Sequence, residues 1–356
     1  MCLGRTTGVE IVAVGTRARV MRADRATRLL RSRRPVLAAA SFAVLAVGLL
    51  LLVKWLPYGE KAVSVAGTGD WPGSSLLDTG SPSLRAGWEF LLAYTEAIWP
   101  ALVAAIVLGA AVEALVPAER LGRLGPLGGG TLALPGMMCT CCAAPLVTSL
   151  RRAGAATGSA VAFWLANPVL NPAVLVFLAL VGPWQWPVTR LVIGAALVFG
   201  AGALAARMAP AEVAPVARPD PRSAPRRFGT GFTRFTLLLV PLYLLLVFAV
   251  GALRGSLFPL ADGLAAHVVP AVLAAAVLGV LLVLPTGGEI PVVLALVAAG
   301  FPPAVIGVLL ITLPAVSLPS MVLVGRALTW RVTATAGACT ALAGIAAGGL
   351  LTVLSG

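Results

Sequence analysis

Long apolar stretches alternate with short polar segments along most of the chain. Each stretch is close to or above about 18 residues, the length that a helix needs to cross a bilayer. The pattern therefore predicts an all-α polytopic membrane protein. We expect spanning helices over 36–53, 88–116, 156–181, 188–206, 234–252, 303–324 and 332–354.

Two further apolar stretches, 131–150 and 268–300, are interrupted by prolines and glycines. Pro135, Gly136 and Pro145 interrupt the first one, so a single straight helix is not expected there. If that stretch crossed the membrane, the arginines that follow it would lie outside, against the positive-inside rule. We therefore predict two broken, re-entrant hairpins, which membranes tolerate where protein or a water-filled cavity surrounds them.

The second half of the chain repeats the first at an offset of 146 residues. At that offset, residues that break or anchor helices recur in pairs: Pro145 with Pro291, Gly154 with Gly300, Pro168 with Pro314, and Trp184 with Trp330. Each half would hold three spans and one hairpin, and three crossings turn the second half upside down. The sequence thus predicts two inverted repeats, with Arg326 and Arg331 in the cytoplasm as the positive-inside rule requires.

These features divide the chain into six segments. We predict a basic cytoplasmic arm over 1–35, an extra N-terminal transmembrane helix over 36–53 and an external loop over 54–87. The first repeat occupies 88–206, a cytoplasmic linker rich in proline and arginine occupies 207–231, and the second repeat occupies 232–356. The N-terminus is then cytoplasmic, and both Met1 and Met21 are candidate start residues.

Composition narrows the class of protein. Hydrophobic residues make up 59% of the chain and charged residues 11%, with a mean hydropathy of +0.99, which excludes an ordinary soluble domain. The formal charge of +13 comes from basic residues that cluster in the arm and in short loops. This distribution is typical of residues that set the orientation of a membrane protein and contact anionic lipid. We therefore do not predict a nucleic-acid partner. No phosphate-binding Gly-x-x-x-x-Gly-Lys-Ser/Thr motif is present. We predict neither an enzyme nor a cofactor, and a homo-oligomer stays open.

The main chemical candidates are Cys139, Cys141 and Cys142, which fall within four residues of the first hairpin. Thiols are soft ligands that suit arsenic(III), copper(I) or mercury(II) and do not suit magnesium or calcium. The alternatives are that small cysteines simply pack the hairpin, or that they are redox-active. Cys339, alone in the last span, is expected to be a packing residue.

Four polar residues in apolar segments are further candidates. Asn167 and Asn171 each precede a proline, and either contact substrate or cap a kinked helix. Glu289, in the second hairpin, either carries a coupling proton or caps a half-helix. Glu113, on the second span, is the other candidate for proton coupling.

Residues 139–146, Cys-Thr-Cys-Cys-Ala-Ala-Pro-Leu, resemble the Cys-Ser-Cys-Gly-x-x-Pro-Leu motif of the bacterial permease family that includes the organoarsenical exporter ArsP. The resemblance continues through 150–154, 162–172 and 287–291 and covers most of 88–356. Thr140 stands where that family has serine, which keeps a hydroxyl group at the binding site. Cys142 stands where the family has glycine, which adds a third thiol.

The resemblance implies a secondary transporter in the bacterial inner membrane that exports trivalent arsenicals or a related soft metalloid. In this hypothesis Cys139 and Cys141 bind the substrate with Cys142 as a third metal or metalloid ligand, Thr140, Asn167 and Asn171 line the site, and Glu289 or Glu113 carries the coupling proton. Two alternatives remain, namely uptake of a sulfur-containing or other small solute, and a membrane thiol oxidoreductase.

Overall fold

The computed structural model describes residues 40–69, 71, 82–116, 121–209, 223–253 and 267–356. This part of the chain is helical and contains no strand. Seven of its helical segments are long and apolar enough to cross a membrane, and two of these, Thr157–Val181 and Pro303–Gly325, each consist of two shorter helices. The prediction of an all-α polytopic membrane protein is confirmed. The basic arm over 1–35 and most of the linker over 207–231 lie outside the described residues.

The described residues of the first half form seven helices: α1 Ala40–Thr68, α2 Leu84–Leu115, α3 Pro126–Ala133, α4 Thr140–Arg152, α5 Thr157–Val169, α6 Pro172–Val181 and α7 Gln185–Met208. Those of the second half form six: α8 Ala224–Leu253, α9 Val268–Leu281, α10 Glu289–Ala298, α11 Pro303–Ala315, α12 Leu318–Gly325 and α13 Trp330–Ser355. Helices α3 and α4 form the first hairpin, and α9 and α10 form the second. The two helices of each hairpin are too short to cross the membrane separately.

Two of the long apolar segments are broken near their middle by local chemistry. Asn171 ends the break between α5 and α6, where its side-chain oxygen accepts hydrogen bonds from the backbone N–H groups of Ala173 and Val174. Ser317 caps the start of α12 in a similar way, through a reciprocal capping box with Ser320. Because an N-cap supplies the partners that a helix start lacks, each break is stable without a neighbouring turn of helix.

The helix boundaries follow the predicted repeat. At the offset of 146 residues, α5 Thr157–Val169 corresponds to α11 Pro303–Ala315, and the capping residue Asn171 corresponds to Ser317. Helices α7 and α13 correspond to within one residue at each end. The element order therefore supports an internal repeat, and its inverted orientation in the membrane stays a prediction.

The core of the protein lies around α5 and α11, which are buried along almost their whole length. Close packing there needs small residues, since helix α7 approaches α5 where Gly202 meets Gly158. A side-chain carbon on Gly158 would lie 2.5 Å from the Gly202 carbonyl oxygen. The equivalent contact in the second half joins Gly348 of α13 to Ala304 of α11, with a clash of the same size.

The extra N-terminal helix is longer than the sequence indicates. The predicted span ends at residue 53, and 54–87 is assigned to an external loop, but helix α1 continues to Thr68 through a π-helical turn at Leu51–Trp55. The prediction stops at Lys54 because a charge normally ends a span. Lys54 is instead buried, with its ammonium group 3.3 Å from the hydroxyl of Tyr58, so the helix passes through this position. The predicted boundary between the span and the loop, at residues 53 and 54, is therefore wrong, because helix α1 extends to Thr68.

Candidate functional site

Three thiols meet at the start of helix α4. The sulfur of Cys139 lies 2.9 Å from that of Cys142 and 3.3 Å from that of Cys141. All three sulfurs lie within 4.8 Å of one another, and all three residues are buried free cysteines. Metal–sulfur bonds of about 2.3 Å place ligands of one ion at similar separations. The structure therefore brings together all three predicted sulfur ligands.

The backbone before α4 explains why the thiols converge. A single 3₁₀ turn at Leu134–Gly136 is followed by Met137 in the left-handed conformation, with φ 45°. Cys139 is then the extended N-cap residue, and Cys141 and Cys142 fall in the first helical turn. The unpaired N–H groups of a helix start favour negative charge nearby. A thiolate, or an anionic adduct of one, is thus favoured at this end of α4.

Two other elements supply polar groups to the cluster. The hydroxyl of Tyr94, on helix α2, lies 3.7 Å from the Cys141 sulfur. The hydroxyl of Thr140 lies 3.1 Å from that of Ser317, the cap of helix α12. Thr140 therefore links the thiol hairpin to the second half of the protein, and its hydroxyl is already engaged at this position.

Both hairpins border one cavity. It has a volume of about 480 Å³ and is lined by Cys139 from the first hairpin and by residues 285–288 from the second. Helix α1 closes another side, where Lys54, Tyr58 and Lys61 line the cavity. Cys139 is the thiol that faces this cavity, and Cys141 and Cys142 lie behind it. A substrate that enters here would meet the Cys139 sulfur first, with the sulfurs of Cys142 and Cys141 2.9 and 3.3 Å from it.

Glu289 is not among the residues that line this cavity, and it forms a buried ion pair with Arg190 of α7. The Arg190 nitrogen Nη1 donates to a Glu289 carboxylate oxygen at 2.8 Å, and the two side chains are 0% and 3% exposed. Arg190 also donates to the carbonyl oxygens of Val169 at 3.0 Å and Pro168 at 2.7 Å. One arginine thus ties the start of α10 to the break between α5 and α6. Whether Glu289 carries a proton stays a prediction.

The two asparagines occupy separate places. Asn171 caps helix α6, as described above. The side-chain nitrogen of Asn167 donates to the Phe163 carbonyl at 2.9 Å, while its oxygen has no hydrogen-bond partner in the described part of the protein. Asn167 lines a second, largely apolar cavity of about 460 Å³ next to Gly136 and Met138. The structure does not bring either asparagine to the cavity that Cys139 faces.

Glu113 also lies away from the thiols. It is 19 residues after Tyr94 on helix α2, which corresponds to about 28 Å at about 1.5 Å per residue. Arg234 of α8 donates to both of its carboxylate oxygens, at 2.7 and 2.8 Å. Glu113 is therefore part of a charged cluster at the other end of the helix, and its role in proton coupling stays a prediction.

Sequence reasoning missed Lys54, Tyr94, Arg190 and Ser317. Arg190 carries a signal that was available, because it is the one charged residue of the predicted span 188–206. A charge in a membrane segment indicates function by default, and the same rule singled out Glu289. The other three residues carry no local signal, since their places follow from the packing of distant helices.

A comparison with known proteins finds one relative along most of the chain. The chain is 38% identical over 324 residues to the UPF0718 protein YraQ of Escherichia coli (strain K12), and the alignment covers 87% of this chain and 94% of that protein. No protein-family model matches the chain. No solved structure matches it either.

Proposed function

The chain belongs to the UPF0718 family, and from this premise we propose that it is a secondary membrane permease for a soft substrate that binds thiols. The observation that carries the proposal is the cluster of three buried thiols at the tip of a broken hairpin, next to a cavity that the second hairpin also lines. Transporters place their substrate sites at such interfaces between repeats, where discontinuous helices meet.

The substrate class follows from the donor atoms. The cluster offers three sulfur atoms and no carboxylate or imidazole within the described residues, a set that favours soft acceptors such as trivalent arsenic and disfavours hard cations. A trivalent organoarsenical with two hydroxyl groups would react with two thiols in turn. Each arsenic–oxygen bond is replaced by an arsenic–sulfur bond, and each thiol proton leaves with the departing hydroxyl as water.

The direction that we propose is export, driven by protons. Glu289 is the candidate carrier, and it can accept a proton only if its ion pair with Arg190 opens. Arg190 is also bound to the break between α5 and α6, so opening of the ion pair would release the second hairpin from that break. This would couple protonation to a movement of the second hairpin, which borders the cavity that Cys139 faces.

Accumulation of methylarsenite in cells tests the proposal. In a host without its own arsenic resistance, the chain should lower the internal arsenic level and raise resistance. Cys139→Ser or Cys141→Ser should abolish both effects, while the control Cys339→Ser, which removes a thiol outside the cluster, should change little. Equal loss of membrane-inserted protein in all three variants would indicate that the thiols only pack the hairpin.

A second candidate is uptake of a small sulfur-containing anion. It is favoured by Lys54 and Lys61, whose ammonium groups line the same cavity as Cys139. An import function predicts that the chain raises internal radiolabelled thiosulfate. Lys54→Met should then lower this uptake by about tenfold or more, since a buried charge partner is worth about 1.4 kcal/mol or more, and should leave transport of neutral methylarsenite in place.

A further inference from the structure

A small basic pocket lies at the opposite end of helix α4 from the thiols. Its volume is about 250 Å³, and it is lined by Arg151 and Arg152 of α4, Arg234 of α8 and Arg326, which directly follows α12. Helix α4 has 13 residues, so the pocket lies about 20 Å from the cysteines. The positive-inside rule assigns this end of the helices to the cytoplasm.

The positive charge of the pocket is only partly balanced. Glu113 pairs with Arg234 at 2.7 Å and lies 4.0 Å from Arg152, and it is the acidic residue that reaches these arginines in the described part of the chain. Burial, and then repulsion from Arg234, lower the pKa of Arg152 from its ordinary value, whereas Glu113 raises it. Four guanidinium groups against one carboxylate leave an excess of positive charge in a concave site.

Hydrogen-bond donors in the pocket also lack partners. The Nε atoms of Arg151 and Arg234 are buried without a hydrogen-bond partner among the residues that the structure describes. A buried donor without an acceptor is costly, and a guanidinium fork matches the oxygen atoms of a phosphate group. Arginines that only set membrane orientation would be solvated at the surface and would not leave buried donors unpaired.

We propose that this pocket binds a phosphate-type oxyanion, either the headgroup of an anionic lipid or a soluble phosphate. Basic pockets between the cytoplasmic ends of membrane helices are suited to lipid phosphates. The pocket shares helix α4 with the thiol cluster, so an anion bound at Arg151 and Arg152 would hold the C-terminal end of the helix that Cys139 caps. The proposal does not depend on the identity of the transported substrate.

The test uses the purified full-length chain and two kinds of probe. Spin-labelled phosphatidylglycerol is compared with spin-labelled phosphatidylcholine for association with the protein in phosphatidylcholine nanodiscs. Inorganic phosphate is titrated calorimetrically at constant ionic strength. The variants are Arg326→Gln, which changes an exposed lining residue, and Arg151→Lys, which keeps the charge and loses the fork. The control Arg331→Gln removes the same charge from an exposed residue outside the pocket.

We expect the protein to prefer phosphatidylglycerol over phosphatidylcholine, and we expect Arg326→Gln and Arg151→Lys each to weaken anion binding by about fivefold or more. Arg331→Gln should change binding by less than about twofold. Binding of the lipid but not of inorganic phosphate assigns the pocket to a lipid headgroup, and binding of both assigns it to phosphate oxyanions in general. Absence of both, or an equal loss in Arg331→Gln, would overturn the proposal.

Discussion

The ion pair between Glu289 and Arg190 makes a prediction that separates structural stability from transport. Glu289→Gln keeps the size of the side chain but leaves the fully buried Arg190 without its counter-charge. Removing one partner of a buried pair typically costs about 3–5 kcal/mol in the free energy of unfolding. The two backbone carbonyls that Arg190 still contacts should keep the loss near the lower end of that range.

The protein contains a matched control for this change. Arg85 and Glu89 also form an ion pair at 2.8 Å, but their side chains are 88% and 58% exposed. Glu89→Gln removes the same charge at the same distance in solvent, where an ion pair contributes little to stability. Unfolding of both variants in mixed detergent micelles, followed by circular dichroism, measures the difference.

Double substitution tests whether the loss comes from the pair itself. Arg190→Gln alone removes the counter-charge of Glu289 and the donors to Val169 and Pro168, so it should destabilise the protein more than Glu289→Gln does. The double variant should lose less than the sum of the two single losses. If Glu289→Gln changes the free energy of unfolding no more than Glu89→Gln, the buried pair does not stabilise the fold.

Transport in vesicles completes the prediction for Glu289. A glutamine at this position cannot ionise, so Glu289→Gln should retain arsenical binding to the solubilised protein and lose transport driven by a pH gradient. Full transport with an unchanged dependence on the gradient would place the proton path elsewhere, with Glu113 as the next candidate.

Two further predictions concern packing and orientation. Gly136→Ala should destabilise the protein by about 1–3 kcal/mol in thermal unfolding, because the added Cβ atom would lie 2.5 Å from the side-chain oxygen of Asn167. At the control position Gly200, an added Cβ atom would meet open space. Gly200→Ala should therefore be neutral or stabilising. A reporter fused within 210–222 should be cytoplasmic and one fused within 72–81 external, and detection of both on the same side would contradict the inverted repeat.

The sequence alone predicts the spans, the hairpins and the offset of the repeat. These features are local, since a bilayer selects length and apolarity and since proline and glycine interrupt helices wherever they occur. The adjacency of three cysteines likewise made their convergence predictable. A break beside them, at Gly136 and Met137, was enough to place all three in one turn of the chain.

Only the tertiary structure decided which charges face the thiols and which do not. Glu289 lies in the hairpin opposite the cysteines, but it pairs with Arg190, 99 residues away along the chain, and does not line the shared cavity. The sequence pattern places Lys54 at the end of a span, but in the structure Lys54 of helix α1 lines that cavity. The physical reason is that a buried charge takes its position from the counter-charge and carbonyls that packing brings near it, and neither hydropathy nor spacing records that pairing.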